Sequence, residues 1–367
     1  MNILLSDGTS RTGIAEIMAK VPDRLDEVQI ANLLNLKYQD VQAKHQICFL
    51  LGSLRQRAAT LKLKFSVDEM SVESLSRILE KDIVVCAAVA VADRLVGRSG
   101  RDLFSADELS NGIETALLNL REPKKKKDGG YAHSASTRAL MCDELGESTL
   151  PLLFYSRNGS PVTVMSFESR ISTIWSPMRF SGSKDTVQGV TRIIWELFDN
   201  THQHARVNRD HNLISHSLRG CFLDYQWVDN MVPMTNGHPL DNFMEESKSK
   251  GAIHFLFITI FDSGIGIPEH RRPTNQVGPP RSDFELLEEC FGFNHGGSFN
   301  RSKGLPTVAA ILGEMEIPGA AFIQTGSVSA ILRGESISPI SSKSAGKTGT
   351  CFSVILPYSE KGFGAKQ

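Results

Sequence analysis

Apolar and polar positions keep a helical rhythm through the first third of the chain and a mixed one afterwards. Between Val41 and Lys64, the residues Ile47, Phe49, Leu50, Leu51, Leu54, Ala58 and Leu61 approximate one helical stripe. Ser71 to Leu79 and Ser105 to Leu120 repeat amphipathic helical spacing. The second of these opens on Asp107-Glu108, acids that suit the positive end of a helix. The continuous apolar run Ile83 to Ala92 reads as a buried helix or strand, since a bilayer span needs roughly 20 such residues. Residues 1–122 are therefore expected to form a mainly helical regulatory or partner-binding region. The run Pro123-Lys-Lys-Lys-Lys-Asp-Gly-Gly130 breaks the pattern and predicts a solvated linker over 123–149.

Past residue 150 the texture changes. Leu150–Tyr155 and Val162–Phe167 are short apolar runs around Ser156-Arg-Asn-Gly-Ser160, which predicts a strand, a turn and a strand. A long helical pattern runs from about Asp185 to Val207, and Ala252–Phe261 and Thr348–Pro357 read as strong strands. Helices interleaved with strands predict an α/β sandwich over 150–360.

Composition narrows the class. The chain is 41% hydrophobic and 22% charged, with a formal net charge of -1, so no global field draws it to nucleic acid or an anionic membrane. Six cysteines at 48, 86, 142, 221, 290 and 351 include no Cys-x-x-Cys pair, which argues against zinc and against a disulfide framework. Reduced thiols in a cytoplasmic protein are the expectation, with no membrane span. The start Met1-Asn-Ile-Leu-Leu-Ser-Asp7 carries no basic segment leading into an apolar one, so no secretory signal is expected.

Candidate chemistry begins on the helix around Glu196. At about 100° per residue, Val187, Val190, Ile194, Leu197, Thr201 and Ala205 share one arc, while Glu196, Asn200, Gln203 and His204 share the next. A glutamate can act as general base on a water within hydrogen-bond reach. An asparagine oxygen is a hard, neutral ligand for Mg2+. Glu-x-x-x-Asn is a common spacing, and an ordinary amphipathic helix would explain it equally well. His202 and His204 diverge by about 200° on a helix and cannot chelate one metal together.

Two glycine segments follow. Ile258-Thr-Ile-Phe-Asp262-Ser-Gly264-Ile-Gly266-Ile-Pro268 is an apolar strand ending in an acid and two glycines that permit a tight turn and close ligand approach. Gly296-Gly-Ser-Phe-Asn-Arg301-Ser-Lys303-Gly304-Leu305-Pro306 is a glycine-bearing loop running into an apolar helix, whose N-terminus offers free N–H groups to phosphate. Last comes Gly349-Thr350-Cys-Phe-Ser-Val-Ile-Leu-Pro357, a strand opened by Gly-Thr. Gly346-Lys347-Thr348 is not a P-loop, which would need glycine where Ser341 stands and a helix afterwards.

Taken in order, Glu196–Ala205, Asp262–Gly266, Ser302–Leu305 and Gly349–Leu356 resemble the four ATP-binding boxes of the GHKL superfamily. The resemblance implies a Bergerat-type two-layer α/β sandwich over 150–360, a mixed sheet with helices on one face. It implies ATP and Mg2+ as cofactors, Glu196 as catalytic base and Asn200 as the magnesium ligand. Asp262 would read adenine, with Gly264 and Gly266 shaping the pocket wall and Thr350 supporting the adenine end. Residues 269–303 would form a lid over the phosphates, hinged at Gly304 and Leu305. Gln203 and His204, from the polar strip, and Arg301 and Lys303, whose charge would add to the helix N-terminus facing phosphate, complete the candidate ATP-binding set. The sequence departs from the pattern at Ser-Lys-Gly-Leu-Pro-Thr, where two of three expected glycines are missing.

An ATPase switch acting on a protein partner, a homodimer or its own N-terminal region is the expected function. The alternatives are a protein kinase of the anti-sigma-factor (Ser) or histidine-kinase type, and a non-enzymatic ATP-binding module. Neither His45, set among apolar residues, nor His133, in a Ser-rich loop, fits a phosphoacceptor histidine. For the N-terminal region, a STAS-like α/β module is the alternative to a helical one.

Overall fold

The computed structural model describes residues 1–5, 11–22, 24–31, 41–120, 134–143, 149–175, 183–207, 212–214, 217–228, 239–272, 280–292, 304–334, 336–340 and 348–359. The chain is mixed α/β throughout. Its first part runs β1 (Asn2–Leu4), α1 (Arg11–Lys20), β2 (Leu25–Ala31), α2 (Val41–Arg57), β3 (Ala58–Lys64), α3 (Val72–Lys81), α4 (Ile83–Val91), β4 (Arg94–Val96) and α5 (Ala106–Leu120). The four strands form a parallel sheet in the order β1-β2-β3-β4. Helices hold more of these residues than strands do, yet the region is built around a sheet that the helical reading omitted. Ala58 and Leu61 belong to β3 and not to the preceding helix: Leu61 and Leu63 are buried while Lys62 and Lys64 are only partly so, which is a two-residue period. The apolar run resolves as a helix because Asp82 caps it, accepting from Val84 N–H at 2.9 Å.

The second part runs β5 (Ser134–Cys142), α6 (Val164–Trp175), α7 (Lys184–His204), β6 (Leu218–Trp227), α8 (Pro239–Ser249), β7 (His254–Asp262), α9 (Ile267–Arg271), α10 (Asp283–Cys290), α11 (Leu305–Glu314), β8 (Ala320–Thr325), β9 (Val328–Arg333), β10 (Ser336–Pro339) and β11 (Thr350–Tyr358). Seven strands form one sheet in the order β10-β9-β8-β11-β7-β6-β5. Its β5 falls inside the expected linker and pairs with β6 along its whole length. The lysine run itself lies outside the described residues. Between Leu150 and Phe167 the expected strand pair is reduced to one bridge, Tyr155 to Pro161. Thr163 accepts from Ser166 N–H at 3.3 Å and turns the second apolar run into the start of α6.

Two features of the sheet correct the expectation. Every pairing in it is antiparallel, so it is not mixed. Helices cover both faces, not one. Leu256, Ile258 and Ile260 of β7 pack with α6, α7 and α11. Phe255 and Phe257 face Leu240, Phe243 and Met244 of α8. Phe261, with Phe222 of β6 and Cys351 of β11, joins the core of the N-terminal region. The physical reason is legible in β7 itself, which is buried at all nine positions. A strand apolar on both faces needs a layer against each. The six cysteines are free thiols, and no described helix is long and apolar enough to cross a membrane.

Candidate functional site

α7 is the long element of the site. Ser183 caps it, accepting from Thr186 N–H at 3.1 Å. Val190, Ile194, Leu197 and Thr201 are buried as the expected arc requires, and Ile193 and Phe198 widen it. Asn200 and His204, on the polar strip beside this arc, look into a cavity of about 710 Å³, closed by the ends of β7 and β11, by α9 and by the start of α11. Seven of the residues singled out in the sequence line it: Asn200, His204, Asp262, Gly266, Gly304, Leu305 and Thr350. They come from four separate stretches of chain.

Asp262 ends β7 and stands in register between Arg219 of β6 and Thr350 of β11. Its Oδ1 accepts the Gly264 N–H at 2.9 Å. Burial pushes the carboxyl up to about 7, against the opposing pull of the Gly264 N–H, Arg219 and the Thr350 N–H. Gly264 is required by close approach: a Cβ there would lie 2.7 Å from both Cα and O of Ala205, the C-cap of α7. Thr350 shares a hydrogen bond of 3.0 Å with Thr325, whose hydroxyl also accepts the Ile267 N–H at 2.8 Å and so fixes the start of α9. The half-buried Asn200 presents a buried Nδ2 with no hydrogen-bond partner among the described residues.

Glu196 sits at the edge of the cavity and does not line it. Its Oε2 accepts the Gly304 N–H at 2.8 Å, at the N-terminus of α11, and its Oε1 is 2.5 Å from Arg192 Nη2. Gln203 is turned away, donating to Asp199 at 2.6 Å; its i−4 neighbour is the nearer partner on that flank of the helix. Gly264 shapes the wall from behind without lining it. Arg301 and Lys303 lie outside the described residues, as does most of the expected lid.

Other residues of the cavity were not singled out in the sequence. His270 and Arg271 of α9 and Cys290 of α10 line it. The His204 and His270 rings lie 4.5 Å apart, and burial, with His270 and Arg271 close by, lowers the His204 pKa. Their signal was available as Glu269-His-Arg-Arg272, a cationic cluster directly after the glycine turn. Behind the site, the fully buried Arg219 donates to Asp143 at 3.0 Å through Nε and 2.5 Å through Nη2. Burial pushes the Asp143 carboxyl up, but Arg219 and Arg206 more than offset this and hold it low. His202 bonds the Tyr155 hydroxyl at 2.9 Å, apart from His204, as expected of histidines that cannot chelate jointly. Among the described residues no three His, Cys, Asp or Glu side chains gather as a metal site.

No family model, curated protein or solved structure matches this chain.

Proposed function

We propose that the cavity binds ATP with Mg2+ and that the protein is an ATPase whose nucleotide state is passed through α11 and the N-terminal region to a partner. One observation carries the reading. An acid at a strand end, a carboxamide on the facing helix, a supporting threonine and a helix N-terminus meet around one cavity, although they arise from four distant segments. Its volume lies in the range of small-molecule sites, about 300–1,000 Å³.

The residues fit the cofactors. Asp262 offers a carboxylate acceptor to an exocyclic amine at the deep end. The N-terminus of α11, where Gly304, Leu305 and Pro306 line the cavity, offers the positive end of its dipole to phosphate, the Gly304 N–H itself being held by Glu196. Asn200 is the carboxamide of the helix strip that lines the cavity, and its Oδ1 would be the hard oxygen donor to the ion. A single neutral protein ligand suits Mg2+, which takes its remaining oxygens from water and phosphate. When bound, the ion would neutralise phosphate charge. Glu196, close to Gly304, is the group able to take a proton from an attacking water.

A second reading, ATP binding without turnover, is favoured by one fact: both oxygens of Glu196 are engaged, by Arg192 and by Gly304. Titration of the protein with ATP, with and without Mg2+, followed by γ-labelled ATP turnover, separates the readings. The wild type is expected to bind ATP in a Mg2+-dependent way and to release phosphate; Glu196→Ala should bind and release none. Absence of binding sinks the site, and unchanged turnover in the variant removes Glu196 as base. Binding with no wild-type turnover selects the second reading, and label retained on protein selects a kinase.

A further inference from the structure

The N-terminal region packs on the large sheet through α4 and α5 at β5 and through α2 directly behind the cavity. Helix α2 lies across β6, β7 and β11 on the face opposite α7. Its anchor is a buried polar contact. His45 Nδ1 shares a hydrogen bond of 2.9 Å with Thr259 of β7, and its Nε2 stands 3.0 Å from Asp224 of β6.

One and two turns farther along the same face, α2 touches the neighbours of the two residues assigned to the base. A Cβ on Gly52 would lie 2.9 Å from the Cβ of Ser263, the residue after Asp262. A Cβ on Gly349, the residue before Thr350, would lie 2.7 Å from Cε2 of Phe49. Ser53 Oγ shares a hydrogen bond of 2.8 Å with Thr348 Oγ1. The two contacted segments are tied to each other, since Gly349 N donates to Gly264 O at 2.5 Å. Phe49 and Ser53 are buried, and Ser263 is buried completely. Contacts this tight leave no slack, so a shift of α2 displaces both segments together.

The geometry points to Phe49 and Ser53 of α2 as positioning residues for the base-binding end of the cavity: the N-terminal module holds Asp262 and Thr350 in place from behind. This inference rests on reading the cavity as a nucleotide site. Coupling of this kind is reciprocal, so nucleotide at the front also steadies α2 at the back.

The test uses the full chain. Ser53→Ala removes the hydrogen bond to Thr348, and Ser53→Thr retains a hydroxyl. Affinity is measured for ATP, ADP and tripolyphosphate, with turnover at saturating ATP and thermal melting alongside. Ser53→Ala should weaken ATP and ADP about fivefold. Tripolyphosphate affinity and kcat should stay unchanged, and Ser53→Thr should restore binding. Equal weakening of tripolyphosphate, or wild-type affinity for ATP in Ser53→Ala, overturns the inference. Wild-type protein that binds no ATP instead overturns the reading of the cavity. If Ser53→Ala does not fold, hydrogen exchange on the wild type decides. ATP should slow exchange in α2 more than in α8, which packs on the same sheet face farther from the cavity; equal slowing in both overturns the inference.

Discussion

If the cavity binds ATP as proposed, the acid at its deep end makes adenine binding depend on pH with a calculable sign. Asp262 must be ionised to accept from an amine with full strength, and burial holds its carboxyl at about 7 in the free protein. About nine-tenths of the molecules carry the carboxylate near pH 8 and about one-tenth near pH 6. If only the ionised form binds well, ATP affinity should fall about tenfold across that interval, equivalent to about 1.4 kcal/mol. Two other effects act as pH falls: His204, its pKa held below the ordinary histidine value, begins to gain charge, which favours phosphate, and the ligand's own phosphates titrate. Both are common to the wild type and to Asp262→Asn, so the ratio of their affinities isolates the carboxyl. Calorimetric titration of both proteins with ATP at several pH values measures that ratio. The wild type should lose its advantage over Asp262→Asn as pH falls through about 7. A ratio that stays flat from pH 6 to pH 8 refutes the assignment of Asp262 to the ligand amine.

The same carboxyl sets a stability trend of definite direction. Its pKa is raised on folding, so its ionisation costs the folded state nothing below the ordinary carboxylate range and most above about 7, where the penalty reaches about 4 kcal/mol. Asp262→Asn should therefore melt higher than the wild type near pH 8 and level with it near pH 4; equal melting at both pH values counts against the burial argument. Gly264→Ala drives a Cβ to within 2.7 Å of the Ala205 backbone and should cost about 1–3 kcal/mol in denaturant unfolding, with nucleotide affinity lost in parallel. Arg219→Ala leaves Asp143, in a buried site, with Arg206 at 3.4 Å as its remaining cationic partner among the described residues. Breaking such a pair costs about 3–5 kcal/mol, read in denaturant unfolding, and Arg219→Ala with Asp143→Ala together should cost less than the two singles added.

How far the sequence could be read depended on whether a residue's neighbours were near it in the chain. The polar strip of α7 was legible because helical geometry alone places Asn200 and His204 on one flank, and both line the cavity. Gln203 belonged to the same arc and still turned away, because the choice between cavity and Asp199 is made by a local hydrogen bond that an angular plot does not weigh. Asp262, Gly266, Gly304 and Thr350 were found through the order of their segments, and the sheet register then set Asp262 opposite Thr350. His270 and Arg271 were missed although they directly follow the glycine turn, since attention went to the turn and not to what α9 carries past it.

The parallel sheet of the N-terminal region, allowed for only by the α/β alternative, escaped the main reading for a different reason. Its strands are short, and the best alternation, Leu61-Lys-Leu63-Lys64, continues a helical stripe without a break in composition. The consequence is larger than one misread element. A helical appendage on a linker would leave bare the part of one sheet face that α8 does not cover, yet Phe222, Phe261 and Cys351 point there and need cover. Their apolar character already implied a second layer, and Phe49, Gly52 and Ser53 of α2 help supply it. The cavity and the N-terminal region are thus two sides of one sheet: β7 and β11 turn Asp262 and Thr350 toward the cavity and their neighbours Phe261 and Cys351 toward the N-terminal core. An ATP-driven change at the front would reach the N-terminal region by the shortest route the fold provides, through the thickness of a single strand.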